Sequence, residues 1–76
     1  TQKERDTARR AILERELEQE RRSLAEARRE LAEQRALRAG DKDRARAGET
    51  LKPYEDRIRV HTSNISNLEK ELGREG

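Results

Sequence analysis

A chain of 76 residues in which 47% are charged, 29% hydrophobic and only Tyr54 is aromatic holds too little apolar matter for a conventional globular core. It has no cysteine, which excludes a disulfide framework and cysteine-based zinc sites, and no apolar run long enough to span a membrane. The formal charge of +2 is evenly spread: residues 1–38 hold 11 Lys/Arg and 9 Asp/Glu, residues 39–76 hold 8 of each, and neither end is a basic tail.

From Glu4 to Ala39 there is no proline or glycine, and Ala, Leu, Glu and Arg dominate, which predicts one long helix. Its apolar stripe runs through Leu13, Leu17, Leu24, Ala27 and Leu31, interrupted by Glu20, Gln34 and Arg38. The arginine doublets Arg9-Arg10, Arg21-Arg22 and Arg28-Arg29 resemble phosphate binders in isolation. Acids lie within one turn of them, in the pairs Asp6 to Arg10, Glu18 to Arg22 and Glu26 to Arg29, and such pairs belong to a solvated helix face. Gly40 provides a residue able to adopt the left-handed conformation just past the helix end, with a turn over about 40–43 in which Asp41 or Asp43 can accept from the free amides of the next helix.

Helix two is predicted over about 44–72, with two alternatives for its start. Thr50 caps it and Pro53 falls in its first turn, or it begins near Asp43 and bends at Pro53. The bent helix is preferred, because Arg44 to Ala47 are good helix formers and long structureless loops are uncommon in compact domains. Gly73 is expected to end it. Leu51, Tyr54, Ile58, His61, Ile65, Leu68 and Leu72 recur at 3-4-3-4-3-4 spacing, the signature of a coiled-coil seam that needs a partner surface along its whole length.

Two such helices with a short connection predict an all-α, antiparallel two-helix coiled-coil hairpin. A register in which paired residue numbers sum to 85 sets Leu13 by Leu72, Leu17 by Leu68, Leu24 by His61, Ala27 by Ile58 and Leu31 by Tyr54, with the loop centred on Lys42 and Asp43. It pairs Arg28 with Glu55 and Glu30 with Arg57. At the open end it opposes Glu14 to Glu69 and Glu16 to Glu71, so that end is expected to splay or to seek a partner. A lone hairpin buries its seam only partly. A homodimer forming a four-helix bundle is therefore expected, and it could also shelter Leu37 or Val60, which lie outside the seam.

No catalytic, cofactor-binding or metal-ligating residue is assigned. His61 is read as structural, with Glu20 about one turn away and able to pair with it and specify register. Asn64-Ile65-Ser66 matches the N-glycosylation pattern, but Ile65 belongs to the seam. Glu14, Glu16, Glu18 and Glu20 read as solvated surface. The absence of an initiating methionine is consistent with an excerpt from a larger protein.

Two stretches, Leu31-Ala32-Glu33-Gln34-Arg35-Ala36-Leu37-Arg38-Ala39-Gly40-Asp41 and Leu51-Lys52-Pro53-Tyr54 through Leu72, resemble the C-terminal helical region of a family of uncharacterised proteobacterial envelope proteins. Members of that family are predicted to carry a signal peptide and a small N-terminal β module. The resemblance covers roughly residues 13 to 72 and implies a periplasmic setting; it supplies no catalytic residues. The expected function is a non-enzymatic spacer, self-association or protein-docking element of a larger protein, with another copy or another protein as partner and no small-molecule substrate. The alternative is a basic helical surface that binds nucleic acid or anionic lipid through Arg9, Arg10, Arg21, Arg22, Arg28 and Arg29.

Overall fold

A computed structural model describes residues 1–40 and 42–75, with the side chain of Glu75 excluded. It is an all-α helical hairpin of two helices, α1 over Gln2–Leu37 and α2 over Arg44–Glu75. The molecule is a rod of 63 × 15 × 13 Å, one hairpin long and two helices wide. Contacts across the pair run Arg9 to Glu71, Glu20 to His61 and Glu30 to Arg57, so residue numbers rise along one helix as they fall along the other and the helices are antiparallel.

α1 begins two residues before the expected start because Thr1 and Glu4 form a capping box. The Thr1 hydroxyl accepts from the Glu4 amide at 3.3 Å, and the Glu4 carboxylate accepts from the Thr1 amino group at 3.2 Å. The helix also ends two residues earlier than predicted, at Leu37. The Arg38 amide is shared between the carbonyls of Gln34 and Arg35 at 3.1 and 3.2 Å, and the Ala39 amide donates to Ala36 at 3.4 Å. These closing bonds satisfy the carbonyls of Gln34, Arg35 and Ala36 without a left-handed residue, and Gly40, able to adopt that conformation, has no positive φ.

Asp43 sets the start of α2. Its carboxylate accepts from the Arg46 amide at 3.1 Å while its carbonyl accepts from the Ala47 amide at 3.1 Å. Asp41, the other capping candidate, lies outside the described residues. With Asp43 in place the helix runs through Gly48 and Pro53, and Thr50 is not a cap: its hydroxyl donates back to the Arg46 carbonyl at 3.0 Å, one turn behind it within the helix. Pro53 therefore stands in the helix interior, where it leaves the Glu49 carbonyl without its usual donor. Gly73 does not end α2 either. The helix continues to Glu75, Gly73 keeps an ordinary negative φ, and Arg74 reaches back to Glu71 at 2.9 Å. The helices end and begin at Leu37 and Arg44, so the midpoint between them falls two residues before the position that the arithmetic register gives.

Candidate functional site

The longest feature of the hairpin is the strip between its helices. On α1 the structure buries Leu17, Ala27 and Leu31, leaving 7%, 4% and 6% of each exposed, and holds Leu13 and Leu24 half-buried. On α2 it leaves Leu51, Tyr54, Ile58, His61, Ile65, Leu68 and Leu72 all half-buried. A rod two helices thick has no second layer to close over the outer edges of a stripe, so most stripe side chains on either helix are covered on one side only.

The polar positions of the α1 stripe, Glu20, Gln34 and Arg38, are also half-buried. Glu20 meets His61: the carboxylate Oε2 and the imidazole Nδ1 are 2.6 Å apart, each side chain 26% exposed. A hydrogen bond of this length to a charged acceptor, partly shielded from water, ties one level of α1 to one level of α2. Near the turn the Arg57 guanidinium does two things, bonding Glu30 across the helices at 3.2 Å and lying 5.4 Å from the centre of the Tyr54 ring. Arg38 has its Nε enclosed without a hydrogen-bond partner.

The flanking charges follow the expected register only in part. Glu30 pairs with Arg57, whereas Arg28 and Glu55 are both exposed and share no ion pair. The opposition of Glu16 to Glu71 does not govern the open end, because Arg9 approaches Glu71 at 3.7 Å and Arg74 holds it at 2.9 Å. Glu14 is taken by Arg10 at 3.2 Å, so the expected Asp6 to Arg10 pair does not form and Asp6 accepts from Gln2 at 2.9 Å instead. The Glu18 to Arg22 and Glu26 to Arg29 pairs are present at 2.6 and 2.7 Å.

Three large apolar side chains remain outside the strip: Ile12, Leu37 and Val60, exposed by 56%, 75% and 55%. Leu37 and Val60 stand out in the sequence as apolar residues off the seam. Ile12 is easily passed over because it sits beside Leu13. Its distinguishing signal is helical spacing, three residues after Arg9 and four before Glu16, which sets it on a lateral face.

Among the described residues no helix is long and apolar enough to cross a membrane, and no three His, Cys, Asp or Glu side chains gather as a metal site. Asn64 and Ser66 lie within α2, with Asn64 half-buried. Comparison with protein-family models, with curated proteins and with solved structures finds no match to this chain.

Proposed function

We propose that the chain is a non-enzymatic, self-associating coiled-coil hairpin, a rigid spacer within a larger protein that joins two copies by completing a four-helix bundle. The observation that carries this is incomplete cover. Among the described residues Leu17, Ala27 and Leu31 are buried and no α2 side chain is, and helices in water gain most of their stability from packing an apolar face. Small single-core scaffolds come out near zero when burial is set against ordering entropy, so a second hairpin over the exposed edges supplies what one lacks. The resemblance to envelope proteins extends the proposal to a periplasmic setting.

The competing possibility, a basic surface for nucleic acid or anionic lipid, draws little from Arg10, Arg22 and Arg29, whose guanidiniums already hold Glu14, Glu18 and Glu26. Light scattering over a wide concentration range separates the two. A mass of twice 8.9 kDa that falls on dilution supports self-association. A fixed mass of 8.9 kDa, together with tight binding of a DNA or anionic-vesicle probe that collapses as salt rises, would replace it with the charged-surface function.

A further inference from the structure

The three large exposed apolar side chains of the described residues lie on one side of the rod. Ile12 follows Arg9 by three residues, Val60 follows Arg57 by three and Leu37 follows Glu30 by seven, so each shares the face on which the ion pairs Arg9 to Glu71 and Glu30 to Arg57 cross between the helices. Pro53, seven residues before Val60, extends that face. The opposite flank presents Glu14, Arg21, Arg28, Arg35, Glu55, Thr62 and Glu69, all exposed, and its exposed apolar residues on α1 are the small Ala11, Ala25 and Ala32.

Their spacing along the rod is self-complementary. Ile12 and Leu37 are 25 residues apart on α1, about 37 Å at 1.5 Å per residue, with their midpoint between residues 24 and 25. The cross-helix contacts set the level of Val60 on α1 between residues 20 and 27, which brackets that midpoint. A two-fold axis at this level, perpendicular to the rod and lying in the face, stacks α1 on α1 and α2 on α2 with reversed directions. It carries Ile12 onto Leu37 of a second copy, Leu37 onto the second copy's Ile12, and Val60 onto its own equivalent. An isologous contact of this kind is what a symmetric dimer requires.

We infer that the occupant of this face is a second copy of the chain, docked antiparallel about a two-fold axis at Val60, with Ile12 and Leu37 closing the two ends. This rests on the self-association proposed above and specifies its geometry. The area is of the required order: a face 63 Å long and 15 Å wide sets an upper bound of about 900 Å² per copy, against about 800 Å² per partner in a standard stable interface. The same two-fold sets Glu16 opposite Glu33 of the second copy, twice per dimer. Both are exposed, so this repulsion is weak and screened, and it supplies a charge-reversal test of the orientation.

The chain has no native cysteine, so single cysteines report the contact directly. Under mild oxidation Val60→Cys forms a covalent dimer, an equimolar mixture of Ile12→Cys and Leu37→Cys crosslinks between the two variants more than either does alone, and Thr62→Cys on the opposite flank does not crosslink. Glu33→Lys, which replaces two repulsions by two attractions, tightens the dimer by about 3- to 30-fold. A dimeric mass with Thr62→Cys crosslinking in preference to Val60→Cys overturns this face while self-association stands. Crosslinking of Val60→Cys without exchange between the Ile12 and Leu37 variants, or a Glu33→Lys that weakens the dimer, overturns the antiparallel orientation. A wild-type mass of 8.9 kDa at every concentration removes self-association and this face together.

Discussion

Replacing Leu31 by alanine tests how much a hairpin this thin owes to its few covered side chains. Leu31 is 6% exposed and is one of three buried hydrophobic residues among those described. The substitution removes three carbons, worth about 2.4 kcal/mol at about 0.8 kcal/mol for each buried methylene-sized group. In thick cores the residual cavity raises the loss for leucine to as much as about 5 kcal/mol. Here the cross-section is 15 × 13 Å, and half-buried neighbours are free to close inward, which holds the expected loss to about 2–3 kcal/mol. For a domain of this length each kcal/mol moves the melting temperature by about 4–8 °C, so Leu31→Ala should melt roughly 10–20 °C lower. Circular dichroism at one fixed protein concentration, so that association does not shift the midpoint, is the assay. Lys52→Ala, on an exposed side chain, is the control and should stay within about 0.5 kcal/mol of the parent. A Leu31→Ala melt no lower than that of Lys52→Ala would refute the assignment of a stabilising core to the strip between the helices.

Three further outcomes are expected. Gly48→Ala should raise stability by about 0.5–1 kcal/mol, since an added Cβ meets nothing within 4 Å and the position is helical; no gain in a denaturant melt would return the start of α2 to Thr50. Asp43→Ala should lose about 1 kcal/mol by removing the bond to the Arg46 amide, whereas Asp43→Asn or Asp43→Ser should retain most of the stability, and equal melts for all of these variants would count against Asp43 as the cap. A double-mutant cycle on Glu20→Ala and His61→Ala should give a coupling of about 0.5–1.5 kcal/mol, given their 2.6 Å contact at 26% exposure each; additive losses would show that the pair does not bind the two helices together.

The all-α hairpin was legible from residue order alone. An uninterrupted run of strong helix formers from Glu4 to Ala39, a second periodic run ending near Leu72 and one glycine-containing connection admit little else, because helix propensity and apolar period are local properties carried by neighbouring residues. The end of α1 and the start of α2 were less legible, since Gly40, Asp41, Asp43, Gly48, Thr50 and Pro53 each signal a boundary. The structure resolves that competition by giving the free amides of α2 to Asp43, after which Gly48 and Pro53 are carried inside a helix they would not have started. The longitudinal match of the helices lay further out of reach. A 3-4 repeat looks the same after a shift of one heptad, so apolar spacing does not select one alignment, and the connection closing over 38–43 and polar contacts such as Glu20 to His61 do. That alignment also sets the level of Val60 against Ile12 and Leu37. Which exposed residues form one face of the rod is therefore a property of the folded pair of helices and belongs to neither alone.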